Sequence, residues 1–522
     1  MREILERSFW QLFIVYALLI VAISFGRLFK YMLHFEIFAV IIAIAGVIGL
    51  NIKSKKKAKE PKKWGKYEYA LLALAVIIIL VTRIMPYIDN TVPLGYDPGM
   101  YKSTMDAYAE GDIETWMKRW SPKGLFLLTS LTIGLGFTSA QLLIGGLIIL
   151  EVLLCLSFYV AGKEFFGSKA GVASALFYAI SVVQFRAFGL MYYKNILAMS
   201  VLLIAIYFVH KKQVLPAVLT GSFLSGLHRP TFLLFGLSYI GFMAYDVFKS
   251  KKFDKSAFKW DFKIGFLILA VGTVYHVGVF QTLIAPLLRD TATASIGSGT
   301  FINFFTYQYS SLFYLVFSCL GFLFMTRERK FNQAWFLVFI TGVIVYFQII
   351  FFNRFIIHLD LALLMVAGYG FTKSFDNNKK MALALAAILL LAGAVSVFKE
   401  SDSANPYIRP NELAVIEHVQ SVEENAYLMV TSSYYSPWVE GYSGRVVIAP
   451  GLFDANDWNY GTWQDYWVAS EPEEALAMLE DYERPLYIFV GFRALENKNK
   501  YRGPCFEVVK EHQGSRLFKV VC

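Results

Sequence analysis

Long apolar runs separated by short charged segments fill most of the chain up to residue 400. They fall near 9–26, 35–52, 67–88, 140–161, 169–185, 194–209, 213–227, 231–248, 262–284, 303–325, 333–352, 355–372 and 381–398. Most are about the length that crosses a bilayer as a helix, roughly 17 to 25 residues. The pattern predicts an all-α polytopic membrane protein of about thirteen transmembrane helices. Gly124 to Phe137 is also apolar, but it is short for a span and reads as an interfacial or re-entrant helix. The first run, preceded by charges and followed by no small-residue cleavage site, reads as a retained span. After residue 400 the texture changes. Glu412–Glu423 and Pro472–Tyr482 have helical periodicity, whereas Tyr427–Ser432, Arg445–Ala449, Leu486–Val490, Phe506–Lys510 and Leu517–Val521 read as strands. The tail is therefore expected to be a small α/β domain.

Composition narrows the class. Of 522 residues, 57% are hydrophobic and only 17% charged, against about 25% charged in soluble domains. This excludes a single water-soluble globule, a disordered chain and a collagen-like fibre. A net charge of +10 would point a soluble protein toward nucleic acid. Here the Lys and Arg cluster between apolar runs, where they act as topology signals, and no nucleic-acid partner is expected. With a cytoplasmic N-terminus and a non-crossing 124–137, the basic segments 53–66, 249–263, 326–332 and 373–380 all face the cytoplasm. Crossing by 124–137 would put the 249–263 block outside, against the positive-inside rule. The organisation is then an N-terminal hairpin with a basic linker, 1–66, a membrane domain, 67–399, with an external loop at 89–123, and an extracytoplasmic domain, 400–522. The four cysteines have no metal spacing, and Cys505 and Cys522 share the oxidising side, where a bridge between them is open.

That topology gathers the chemically useful side chains on the outer face. Asp97 stands in Gly95-Tyr96-Asp97-Pro98-Gly99-Met100-Tyr101. Pro followed by Gly suits a type II turn, which would present one carboxylate from rigid backbone between two tyrosines. The plainer alternative is that Asp97 only caps the turn. Arg354 and His358 are four apart on one helix face, with Asp360 further along. Ionisable groups at membrane depth are costly and default to functional hypotheses; the alternative is a structural set in which Arg354 or His358 pairs with Asp360. Guanidinium geometry suits a phosphate. Arg186, Lys194, His228, Arg229 and Tyr101 complete the candidate set for binding an anionic, greasy substrate such as a lipid phosphate. Glu151 and His276 lie in apolar runs, as a proton path or as satisfied contacts inside the bundle. The tail aromatics, among them Tyr434, Trp438, Trp463 and Trp467, can pack a core, dock at headgroup level or stack on sugars.

These residues resemble the GT-C superfamily of membrane glycosyltransferases. The resemblance covers roughly 67–522 in organisation and rests on Gly95–Tyr101, Ser121–Gly124 before the short apolar helix, Gly162–Ala175, Gln184–Leu197 and Arg354–Ala367. It is closer to prokaryotic members with a Gly-Tyr-Asp-Pro-Gly loop and a tail like Tyr442-Ser443-Gly444-Arg445 followed by Ala449-Pro450-Gly451. The chain departs from the pattern in lacking an adjacent Asp-Glu pair in the loop, a Trp-Trp-Asp signature and a strict Asp-x-Asp. The resemblance implies a hexosyl or pentosyl transferase that takes its sugar from a polyprenyl-phosphate or diphosphate donor. It implies a lipid, glycan or protein acceptor, contact with membrane lipids, and an active site outside a prokaryotic plasma membrane. Asp97 would be the base, with a divalent cation possible beside it, and Arg354 the phosphate clamp; Lys194, Arg186, Arg229, His228 and Tyr101 are secondary substrate contacts. A lone carboxylate favours inversion. A secondary transporter would call for internal repeats with matching broken spans, which the sequence lacks. A flippase or polymerase of lipid-linked glycans would share the lipid and the outer-face charge.

Overall fold

The computed structural model describes residues 65–112, 123–249, 255–276, 302–349, 352–450, 456–494 and 496–522. The apolar runs at 9–26 and 35–52, most of the Lys-rich segment 53–66, Glu114, Arg289 and Asp290 lie outside them. Among the described residues, six helices are long and apolar enough to cross a membrane: Tyr67–Tyr87, Ser139–Phe166, Tyr193–His210, Arg229–Phe248, Phe352–Asn377 and Lys379–Asp402. Ser168–Ala179 and Val182–Gly189 make a seventh if taken as one span bent by 53°. Gly124–Gly134, Val214–Leu227, Leu312–Arg327 and Gln333–Tyr346 are apolar but shorter.

The expected count of about thirteen is not confirmed: the runs at 9–26 and 35–52 lie outside the described residues, and several of the others are short or broken. Apolar length does not reveal a break. The run at 303–325 is interrupted between Phe304–Ser310 and Leu312–Arg327. The run at 169–185 breaks at Ser181, whose hydroxyl accepts from the Gln184 N–H at 3.2 Å and caps the second half. The Ser181 hydroxyl and Gln184 Nε2 also donate to the buried Asp360 carboxylate, at 3.0 and 2.8 Å. Asp360 thus holds the bend and is not paired with Arg354 or His358. The 11-residue helix Gly124–Gly134 is too short to cross a hydrocarbon core of about 30 Å.

Phe352–Asn377 is the centre of the bundle, packed against Leu312–Arg327, Ser168–Ala179 and Gln333–Tyr346. Its close approach depends on size. A Cβ on Gly370 would lie 1.9 Å from the Phe317 carbonyl oxygen, so only glycine lets these backbones meet, as small residues do in membrane packing. Glu151, isolated in the sequence, is a buried carboxylate contacted through Oε2, while its Oε1 has no hydrogen-bond partner among the described residues. Arg83 reaches it with Nε at 2.9 Å, and the Tyr178 hydroxyl donates to it at 2.9 Å.

The C-terminal domain holds a five-stranded sheet in the order β2-β1-β3-β5-β4: β1 Tyr427–Val430, β2 Val446–Ile448, β3 Leu486–Val490, β4 Phe506–His512 and β5 Ser515–Val520. β1 runs parallel to β2 and to β3, while β5 is antiparallel to β3 and β4. The five expected strands are all present, with helices Pro410–His418 and Pro472–Met478 near the expected positions. Two further helices, Ser436–Tyr442 and Tyr460–Val468, lie among the tail aromatics. Trp438 packs on one face of the sheet, and Trp458, Trp463 and Tyr466 on the other. Most of that aromatic density is therefore core. Cys505 and Cys522 form a disulfide.

Candidate active site

The site is built where the 89–110 segment is held between the bundle and the C-terminal domain. Pro98 opens helix Pro98–Glu110 at its first turn, where its missing N–H costs nothing. Asp97 occupies the capping position, yet its side chain makes no capping hydrogen bond. Pro98-Gly99 is thus a helix start, and the expected type II turn is absent; Gly99 is not among the residues with positive φ. Gly99 is used for its size. A Cβ there would sit 1.9 Å from the Pro437 carbonyl oxygen, and one on Gly441 would sit 2.1 Å from the Gly99 carbonyl oxygen. Gly95 plays the same part toward the bundle, where a Cβ would meet the Leu190 carbonyl oxygen at 2.6 Å. The two glycines flanking Asp97 thus hold it in close packing with Leu190 on one side and Pro437 on the other. Gly99→Val is expected to force helices Pro98–Glu110 and Ser436–Tyr442 apart and to cost about 1–3 kcal/mol, as overpacking does. Faster proteolysis of the C-terminal domain and a lower Tm of the purified protein would register it; unchanged values would refute the close packing.

Several candidate side chains converge on this carboxylate. Lys194 and Arg354 are the cations within electrostatic reach of Asp97. Lys194 lies over the rings of Tyr101 and Phe126, at 5.5 and 4.9 Å from their centroids. Arg354, at the start of the central helix, is exposed. Arg229 stands close enough to Lys194 to be felt by it. His228 accompanies them, its Nδ1 at 2.8 Å from the Thr231 hydroxyl, which in turn is 2.7 Å from His358 Nε2. The two imidazoles stack almost parallel, 6.0 Å apart. His276 sits at the end of the turn Thr273–His276, near Arg229 and Lys123. The arrangement sets one carboxylate against an array of fixed positive charge. Arg186 is paired with Glu400, Nη2 to Oε1 at 2.6 Å.

Burial holds the Asp97 carboxyl above the ordinary aspartate range, while Lys194 and Arg354 pull it back down. Desolvation is the larger of the opposing effects. A base with a raised pKa is protonated, and idle, at low pH. The acid limb of the rate profile is therefore expected above about pH 4, and it should disappear in Asp97→Asn. A limb at or below the model-peptide value would contradict the desolvated position.

A divalent cation beside Asp97 finds little support in the donor set. Among the described residues no three His, Cys, Asp or Glu side chains gather to hold a metal ion, and the charged neighbours of Asp97 are cations. No step is assigned to a metal here.

Thr231 joins the site without having been singled out in the sequence, whereas Tyr192 is part of the same outer-face group as Lys194. Tyr192 lies close to Asp97, Arg354 and Tyr101. The signal for Thr231 is its place one turn after His228, on the face turned to the central helix.

No protein-family model and no curated protein sequence matches the chain. Solved structures do. The apo oligosaccharyltransferase of Archaeoglobus fulgidus aligns with a TM-score of 0.58 at 14% identity, over 83% of this chain and 70% of its own. ArnT from Cupriavidus metallidurans bound to undecaprenyl phosphate aligns at 0.56 and 12% identity, over 88% of this chain and 98% of its own. The mycobacterial arabinofuranosyltransferase AftD aligns at 0.54 and 11% identity, over 87% of this chain and 40% of its own. These neighbours are GT-C glycosyltransferases. The chain has the GT-C fold, that of a multi-pass membrane protein.

Proposed function

We propose that the chain is an integral membrane glycosyltransferase that moves a sugar from a polyprenyl-phosphate or diphosphate donor to a hydroxyl acceptor. The observation that carries this reading is the desolvated Asp97 carboxyl held opposite Lys194 and Arg354 at the edge of an apolar bundle. The fold supports it: the A. fulgidus enzyme has been determined in complex with dolichol-phosphate and an inhibitory peptide, and ArnT with undecaprenyl phosphate. The basic segments of the sequence favour an active site on the extracytoplasmic face of a prokaryotic plasma membrane.

The chemistry follows from the charges. Asp97 takes the acceptor's hydroxyl proton as the bond from the acceptor oxygen to C1 of the sugar forms. The bond from C1 to the phosphate oxygen breaks, and its electron pair leaves with the lipid phosphate. Arg354, Lys194 and Arg229 stabilise that growing negative charge, which a pre-placed array does without reorganising at the moment of reaction. With one carboxylate at the site among the described residues, inversion at C1 is expected. Purified protein given a panel of polyprenyl-phosphate sugars should release free polyprenyl phosphate and form a product of opposite anomeric configuration by NMR. A product that retains the donor's configuration would refute the single-base scheme.

A further inference from the structure

The C-terminal sheet carries a crevice that the transfer step at Asp97 does not use. β1 lies between β2 and β3 and runs parallel to both. From β1 the chain enters Ser436–Tyr442, whose Trp438 and Val439 pack with Leu428 on one face of the sheet. From β3 it runs to Lys498–Arg502, whose Tyr501 packs with Tyr466 and Phe518 on the other face. Adjacent parallel strands whose outgoing connections part to opposite faces open a crevice at their carboxyl ends, which is where open α/β sheets bind ligands. Here that crevice is a cavity of about 340 Å³. Ser432, Ser433 and Tyr434 line it from the end of β1, Arg493 and Glu496 from beyond β3, and Trp467 from helix Tyr460–Val468.

The walls are held in place. The Trp467 indole N–H donates to the Thr431 carbonyl at 2.6 Å, and the Thr431 hydroxyl donates to the Glu496 carboxylate. Glu496 also accepts from the Tyr501 hydroxyl at 2.7 Å and pairs with buried Lys500 at 3.0 Å. The Tyr434 hydroxyl and the Arg493 guanidinium both donate to the Tyr407 carbonyl, at 2.6 and 3.2 Å, with the guanidinium over the Tyr434 ring. Glu496 is thus neutralised by Lys500, and a single exposed cation remains on the wall. The Trp467 surface, the Tyr434 edge, two serines and a guanidinium fork suit a neutral, hydroxyl-rich ligand with apolar C–H faces: a carbohydrate.

The crevice is also tied to the transfer site. Tyr96, next to Asp97, donates its hydroxyl to the Ser433 carbonyl at 2.6 Å. Its ring meets Tyr407 edge-on at 5.3 Å, and Tyr407 stacks on Tyr434 at 4.1 Å. We propose that the crevice is a glycan subsite, holding sugar residues of the acceptor beside the hydroxyl that Asp97 activates. The assignment rests on the glycosyl-transfer reading above.

The test uses the full-length purified protein and a panel of neutral tri- and tetrasaccharides, with binding followed by saturation-transfer NMR and acceptor KM by transfer assay. At least one glycan should bind saturably. Arg493→Ala, at an exposed position, should weaken that binding and raise the acceptor KM by about tenfold, the size of one charge-assisted hydrogen bond. Ser433→Trp, which fills the crevice from its rim, should abolish binding, and Arg493→Lys should recover part of it. Donor affinity should stay unchanged in all three. Absence of saturable binding, or binding and acceptor KM indifferent to Arg493→Ala and Ser433→Trp, overturns the subsite even where transfer proceeds. Glycan binding that Ser433→Trp abolishes, in a wild-type protein that transfers no sugar, instead overturns the transfer reading on which the acceptor role rests.

Discussion

Replacing Asp97 by asparagine is expected to lower turnover by about 10²- to 10⁴-fold, the usual contribution of a general base, while donor affinity stays near the wild-type value. Asparagine keeps the size of the side chain and much of its hydrogen bonding, but it cannot accept the acceptor's proton. The backbone should tolerate the change, because the Asp97 side chain makes no cap hydrogen bond to its helix; structure held at this position comes from Pro98 and the flanking glycines. The informative quantity is the single-turnover rate at saturating donor, with donor affinity measured on the same preparation. Near-normal turnover would remove Asp97 from the mechanism. Loss of donor binding in this variant would point to a role in organising the site.

Arg354→Ala is expected to weaken donor binding by about 10- to 100-fold, since charge-assisted hydrogen bonds contribute about 1.5–3 kcal/mol. Turnover should fall as well, because the phosphate bears charge before the reaction and gains more during it. Arg354→Lys should recover only part of the loss, since an ammonium lacks the planar two-point fork. The position is exposed at the start of the central helix, so neither change should disturb the bundle. Equal donor affinity in all three proteins would take Arg354 out of the phosphate site.

Much of this architecture was legible in the chain because apolar length and alternation are local properties. The tail strands emerged at nearly their observed bounds, and the short helix at 124–134 was distinguishable from a span by length alone. What was not legible depends on partners far away in sequence. The break at Ser181 is fixed by Asp360, 179 residues on, and Glu151 is neutralised by Arg83, 68 residues before it. No window of sequence contains either pair. The motif around Asp97 was recognised, but Gly99 was assigned to turn conformation when it serves close packing against Pro437, as Gly95 does against Leu190. Arg186 was grouped with the other outer-face cations by type, and only the structure reveals its carboxylate partner, Glu400.

The most direct test of the account is sugar transfer by the purified chain from a panel of polyprenyl-phosphate sugars, run in parallel for wild type, Asp97→Asn and Arg354→Ala. The account predicts transfer from at least one donor by the wild type, loss of the chemical step with donor binding retained in Asp97→Asn, and loss of both in Arg354→Ala. Transfer by Asp97→Asn at the wild-type rate, or wild-type protein that binds no polyprenyl phosphate, would contradict it.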